Sequence, residues 1–432
     1  MGLRFKILFI ALSCTSIQLH AQEIGLNWLQ SSQLFNGRNS AVPFPKKTVI
    51  GLPDISGTLF NESGSFQNWI TDKTISLENF WSGLERKNYT TSVAWSVRSI
   101  FFGKKYKKFQ WGISHSIDGE SNFKYNKDLV GLFTFGNYGL LEKEPIAKNQ
   151  ALSFTPVFNT TLYQTIGFET GIFINEQFSI GAGLKYISGF FNTVSDVKQF
   201  DLDIRDPFTI KATENWTIQS ANFINSLSFD STIVSSGQIG FGKHPGVAFT
   251  VGIFHSGPKI KVGAQLRDIG FINWDGDKYS RSGVTTYSGI KINDLLTADK
   301  NIFNQITDTL KNLGTVMKSA AKYKTSLRSK FIADVVYDLN AKFSIGASAL
   351  YKFNYFDHYW KIATAAVFSP SKIFNIGSQI SFDQVDNLNL GLFGALKVSI
   401  IRFYGSIDHI PVLVNPDKAN RFSGNMGLAV MW

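Results

Sequence analysis

The sequence predicts a transmembrane antiparallel β-barrel, an all-β fold of about 14 strands with long extracellular loops, one of them containing an amphipathic helix. Three observations predict it. Aromatic residues make up 14% of the chain and Phe alone numbers 39, with 37 Gly, yet only 17% of residues are charged. Soluble domains carry about 25% charged residues. Second, no apolar run of membrane-spanning length follows the N-terminal segment, so spanning helices are excluded, whereas strands hide their apolar side chains at every second position. Third, the last twelve residues alternate: Phe422, Gly424, Met426, Leu428, Val430 and Trp432 share one face, and Ser423, Asn425, Gly427, Ala429 and Met431 the other. A tilted strand needs roughly 9–11 residues to cross a bilayer. To close a barrel this strand must pair with the first one, so Phe422, Met426, Leu428, Val430 and Trp432 form the closure signal that barrel-assembly machinery would read at the chain end.

The chain opens with Arg4 and Lys6, an apolar run from Ile7 to Leu12 and a small residue at Ala21. This reads as a secretory signal peptide over residues 1–21, too short to span a membrane. Cys14 opens a lipoprotein alternative, although Ala11 stands where such sites have leucine. Without the signal the chain has no cysteine and keeps 41 Lys+Arg against 32 Asp+Glu, a net +9. An exported chain without cysteine needs no disulfides and offers no thiolate metal site. The positive charge is not gathered into a basic helix, so nucleic acid is excluded as a partner.

Residues 22–46 have no period and form an irregular N-terminal arm; the barrel occupies 47–432. A first strand, Lys47 to Leu59, is broken by Pro53. Ile75 to Lys87 has helical spacing, and Phe123 to Lys148 reads as either helix or strand. Thr91 to Phe102 places Val93, Trp95, Val97 and Phe101 on one face, against Ser92, Ser96 and Arg98. After a lysine-rich turn, Phe109, Trp111, Ile113 and Ile117 oppose Gln110, Gly112, Ser114 and Ser116. The clearest hairpin joins Leu162–Ile174 to Phe178–Phe190 through Asn175-Glu176-Gln177, with Ile166, Phe168, Ile172, Ile180, Leu184 and Tyr186 outward and Thr165, Glu169, Gly181, Gly183 and Lys185 inward. Two large loops, about 191–240 and 275–324, follow. The second holds Ile302, Phe303, Ile306, Leu310, Leu313, Val316 and Met317 at helical spacing. From Leu327 onward strand follows strand, and Phe178-Ser-Ile-Gly-Ala recurs at Phe343, each copy just after a tight turn.

No motif points to catalysis, and the protein is not read as an enzyme. His115, His244, His255, His358 and His409 lack metal-ligand spacing. Asp357-His358 and Asp408-His409 are not dyads, because neighbours in a strand face opposite ways. No catalytic, metal or cofactor residue is assigned. The inward positions are more informative: Arg98, Glu169, Lys185, Lys261, Arg267, Arg328, Lys330, Asp334, Lys352 and Asp383 are the candidate lumen-lining residues. Such a lumen either attracts anionic or amphipathic solutes or is filled by a salt-bridged network.

Two stretches, Ile50-Gly51-Leu52-Pro53 and Arg267-Asp268-Ile269-Gly270-Phe271-Ile272-Asn273-Trp274, with the hairpins after them, give the chain its family likeness. It resembles an uncharacterised family of Bacteroidetes outer-membrane barrels, related in architecture to FadL-type channels and to PorV, the shuttle of type IX secretion. That family often has Asn-Pro-Ala in the N-terminal arm, where this chain has Asn39-Ser40-Ala41. The resemblance implies a fold and an outer-membrane location, and no site residues. The expected function is passage of a small hydrophobic or amphipathic compound; the alternative is a non-transporting partner in protein secretion or surface assembly. Expected partners are outer-membrane lipids, the assembly machinery, and either such a solute or a secretion-system protein.

Overall fold

The computed structural model describes residues 38–65, 70–71, 74–144, 150–205, 210–222, 242–287, 316–353, 358–384, 388–410 and 420–432. The signal peptide, residues 22–37 of the arm, and the helical series from Ile302 to Leu313 lie outside them. The chain runs through β1 (Thr48–Asn61), the small pair β2 (Ile70–Thr71) and β3 (Thr74–Ile75), α1 (Leu77–Ser82), β4 (Asn88–Lys105), β5 (Phe109–Asn126) and α2 (Lys127–Lys143). Then come β6 (Leu152–Ser153), β7 (Val157–Phe173), β8 (Phe178–Asp203), β9 (Ile210–Ala221), β10 (Pro245–Ser256), β11 (Ile260–Tyr287) and β12 (Met317–Ser326). The last seven are β13 (Ser329–Asp338), β14 (Phe343–Phe353), β15 (His358–Phe368), β16 (Phe374–Asp383), β17 (Asn389–Val398), β18 (Ile401–Ile407) and β19 (Arg421–Met431). Leaving out β2, β3, β6, β9 and β12, the strands form a closed antiparallel barrel of 14. β19 returns to β1 with Val430 opposite Ile50 and Phe422 opposite Leu59. Thr48 and Trp432 exchange both backbone hydrogen bonds, at 3.0 and 3.1 Å. Closure leaves no unpaired wall edge, the condition for a sheet in lipid.

The alternation read from the sequence sets which side chains meet lipid. Ile166, Phe168, Leu184, Ile362, Ile380, Phe382 and Met426 stand exposed on the outer face, while Ser423, Asn425 and Ala429 are buried on the inner one. Three tight turns share one device. The side chain of Asn175 accepts from the amides of Gln177 and Phe178, that of Asn340 from Lys342 and Phe343, and that of Ser371 from Ile373 and Phe374. Each turn therefore delivers a Phe to the first position of the next strand. The recurrent Phe178 and Phe343 segments are two uses of that device.

Bulges shift the phase where a simple two-residue count fails. β1 is not broken at Pro53: the strand runs through it, and the extra residue is absorbed between Gly51 and Asp54. A bulge is where a residue without an N–H is tolerated. A second bulge, between Arg98 and Ile100, turns Ile100 outward and buries Phe101, which was expected on the outer face. A third lies in β11 opposite Phe249 and Val251, where Asp268 takes a left-handed backbone with φ 56°. Before it, odd residues such as Gln265 and Arg267 are buried; after it, Ile272 and Trp274 are.

The wall is uneven in height. β13 to β17 have 10 or 11 residues, enough to cross and no more, whereas β8 has 26 and β11 has 28. At roughly 3.3 Å per residue β11 extends about 90 Å, so its upper half rises beyond a bilayer. There β9 takes the place of β10 between β8 and β11: β9 ends at Ala221 opposite Asn192, and β10 begins at Pro245 opposite Ser188. β12 continues into β13 along β11, and Met317 begins this strand instead of ending a helix. The ambiguous stretch Phe123–Lys148 resolves into the end of β5 and α2. Asn126 caps α2 by accepting from the Leu129 amide at 3.0 Å, and Gly136, at φ 70°, kinks it. Leu140 and Leu141 pack against Leu152, Phe154, Leu202 and Ile204, fastening α2 to the raised sheet. The short turns and both barrel ends lie at the opposite rim, the periplasmic one for an outer-membrane barrel.

Candidate functional site

The described part of the arm, residues 38–46, sits inside the barrel near the short-turn rim. Its backbone polar groups are met by strand side chains, as buried amides and carbonyls must be. Gln110 donates to the carbonyls of Ser40 and Val42 at 3.0 and 2.8 Å and accepts from the Phe44 amide at 2.7 Å. Ser179 donates to the Ala41 carbonyl at 2.8 Å, and Asn39 donates to the carbonyls of Ile253 and Ala264. Arg38 pairs with Glu169 while its guanidinium lies over the ring of Phe44, 4.2 Å from the centroid. Phe44 in turn meets Phe101 edge-on, with centroids 5.6 Å apart. The arm is admitted because wall residues lack side chains: a Cβ on Gly181 would stand 2.3 Å from the Ala41 nitrogen, and one on Gly252 2.1 Å from Asn39 Oδ1.

Above this plug the described residues bound two chambers of the lumen. The inner one, about 120 Å³, is lined by Ser96, Asp118, Glu120, Tyr163, Lys185, Arg267, Asp268, Arg328, Lys330 and Lys352 among others. Its lining carries five cationic side chains and three carboxylates. The bulge in β11 delivers Arg267 and Asp268 to this space together, and Lys185 donates to Asp268 at 2.6 Å. The outer chamber, about 310 Å³, is lined by Thr90, Asn122, Lys124, Asn159, Thr161 and Thr325 and shares Glu120, Tyr163, Leu327 and Arg328 with the inner one. Glu120 and Arg328 pair at 2.5 Å where the chambers meet. Both partners remain about a quarter exposed, so the pair is hydrated and screened and forms a weak closure.

The other side of the lumen, from β15 through β19 to β1 and β4, is filled. Asp54 accepts from Tyr404 at 2.5 Å and from Asn425 at 3.3 Å, with Arg98 at 3.8 Å. Asp383 pairs with Arg421 and accepts from Tyr359 and Asn389. Lys361 and Asp408 pair at 2.9 Å, with Gln379 and Ser423 also donating to Asp408. Removing one partner from such a buried pair leaves a costly charge, so these clusters fix the cross-section of the barrel.

The inward charges expected from the sequence divide between two sides of one lumen. Lys185, Arg267, Arg328, Lys330 and Lys352 line the inner chamber. Arg98 and Asp383 belong to the filled side, and Glu169 holds the plug. Lys261 lies low in the wall and pairs with Asp338 at 2.7 Å. Asp334 lies over Gly263 in the seam between β11 and β13. Simple alternation missed Asp54 and Asp268 because bulges carry them, and missed Arg38 because the arm has no period. Pro53 inside β1 and the Arg267-Asp268 pair inside β11 are the signals that the sequence offers at these two bulges. Among the described residues no group of three or more His, Cys, Asp and Glu could hold a metal. His409 contacts Asn389 and Asp408 is committed to Lys361, so the two neighbours act separately.

In three dimensions the chain is similar to the Pseudomonas putida toluene transporter TodX (8% identity, 95% of this chain and 96% of that one, TM-score 0.46). It is also similar to a Pseudomonas aeruginosa FadL homologue (11% identity, 95% and 98% covered, TM-score 0.46) and to the monoaromatic hydrocarbon channel CymD (9% identity, 90% and 89% covered, TM-score 0.43). Likeness at this level carries over neither solute nor mechanism. No curated protein matches the sequence. The model of a family of unknown function, DUF5723, matches residues 41–408, from the plug to the end of β18, and the chain belongs to that family.

Proposed function

We propose that the protein is an outer-membrane channel for a small amphipathic compound with an anionic group, closed at the periplasmic rim by its own arm. The observation that carries this reading is the pair of polar chambers in series above the plug, joined at Glu120 and Arg328. A wholly apolar solute would have to strip water from charged walls, which costs several kcal/mol unless the charges are re-paired. An anionic head meets the surplus of cations instead, while its tail passes Leu327, Val157 and Val194. The apolar outer band and the short turns at one rim support the location, and the even face of β19 supports recognition by assembly machinery.

The test is uptake of a short-chain alkyl carboxylate into vesicles carrying the barrel without residues 38–46. Replacing Lys185, Arg328 and Lys352 together by Gln is expected to lower the rate by about tenfold, the scale of electrostatic steering. Unchanged uptake would contradict the reading. The alternative, a partner in secretion or surface assembly, is favoured by the raised sheet and by Phe133 on α2, which stands 75% exposed. It would gain if the triple variant passed solute normally while Phe133→Ser lost a protein cross-linked to α2 in the wild type.

A further inference from the structure

At the short-turn rim, on the filled side of the lumen, lies a cavity of about 580 Å³. It is bounded by the arm at Pro45 and Lys46, the turns at Ala341–Lys342 and Ser369–Lys372, and Asn375, Lys397, Arg402 and Met431. Five of these residues, Lys46, Lys342, Lys372, Lys397 and Arg402, are cationic, and among the described residues no carboxylate side chain lines the space. Arg402 is the anchor of the argument. It is 4% exposed, its Nε has no hydrogen-bond partner, and no acceptor meets its guanidinium among the described residues. Moreover, Lys397 and Arg402 are directly opposite each other across β17 and β18. Like charges in that register repel, and a buried guanidinium without an acceptor carries the full cost of lost hydration.

We propose that this cavity is a binding site for a phosphate group, free or as the headgroup of an amphiphile, with Arg402 as its buried anchor. A phosphate's negative charge offsets the repulsion between Lys397 and Arg402, and its non-bridging oxygens give the guanidinium the acceptors it lacks. Planar N–H pairs of arginine match phosphate oxygens two at a time, and Lys397, Lys342 and Lys372 complete the shell from the strand and the turns. Lys46 belongs to the arm, so a bound phosphate also ties the plug to the rim. The site stands whether or not the barrel conducts, because it lies outside both chambers.

The test is calorimetric titration of the full chain in a neutral detergent at low ionic strength. One probe is inorganic phosphate and the other is dihexanoyl phosphatidylglycerol. One site per chain is expected, weakened about tenfold or more by Arg402→Gln, the worth of a charge-assisted bidentate contact. Lys397→Gln is expected to weaken it severalfold, and Lys108→Gln, on the same rim but outside the cavity, to leave it unchanged. Heat-modifiable gel migration verifies that each variant is folded. Binding of both probes identifies the phosphate group alone as sufficient; binding of the lipid only identifies a headgroup with its chains. Failure of both probes, or equal affinity in wild type and Arg402→Gln, would overturn the proposal.

Discussion

Gly181 and Gly183 stand two residues apart on the inner face of β8, and only the first is held to glycine by its surroundings. A Cβ at 181 would meet the arm backbone at 2.3 Å, while one at 183 would find its nearest neighbours at 3.5 Å, an ordinary contact. Gly181→Ala is therefore predicted to unseat the plug or strain the wall by about 1–3 kcal/mol, the usual cost of overpacking. Gly183→Ala is predicted to be tolerated. Limited proteolysis of the arm distinguishes them: faster cleavage in the first variant and wild-type cleavage in the second is the expected pattern, and equal rates would show that the arm is not seated on Gly181. The same scale explains what a count of alternating residues cannot supply. Inward glycines are visible in the sequence, but the segment that fills the space above them comes from more than a hundred residues away and has no period of its own.

Among the elements, α2 is the one whose attachment depends on charge. Asp128 lies in its first turn, where burial raises the carboxyl above its ordinary 3.8 and the Arg86 guanidinium pulls it back. Arg86 lies 3.4 Å from Asp128 and 2.6 Å from Glu144. The sign of the pH effect follows from the raised value. Well below 3.8 the carboxyl is neutral whether α2 is docked or released, so Asp128 does not oppose docking there. As pH climbs through the docked-state value the helix has to hold an ionised, half-buried group, so docking weakens. Amide exchange in α2, corrected for its intrinsic rate, is predicted to accelerate as pH rises above about 4 and to stay flat in Asp128→Asn. An identical slope in the two proteins would contradict this. The sequence showed α2 only as an ambiguous stretch, because Gly136 and Gly139 interrupt its apolar face and its stability comes from packing on Leu152, Phe154 and Leu202. By contrast, β13 to β16 were legible strand by strand. Their outer residues face lipid, their inner ones, from Ile332 and Leu350 to Gln379 and Ser381, pack inside the barrel, and no bulge shifts the register between these strands, so nothing disturbs a period of two.

The molecule as a whole is a barrel with one tall wall and one short one, a lumen packed with ion pairs on one side and open on the other, and a plug at the short-turn rim. The fold was legible because closure and lipid impose the same rule on every wall strand. The chambers were legible only in part: Lys185, Arg267, Arg328, Lys330 and Lys352 fall where alternation puts them, but which inward charges border open space depends on bulges at Asp54, Ser99 and Asp268 and on the arm. On the proposed function, residues 38–46 close a lumen that otherwise conducts. Planar-bilayer recording with a salt gradient across the membrane tests it directly, comparing the wild type with a variant lacking that segment. Little or no current is expected through the wild type and steady current through the variant, with a reversal potential on the anion side because cations outnumber carboxylates in the inner chamber. A plug-free barrel that stays silent, or one that prefers cations, would contradict it.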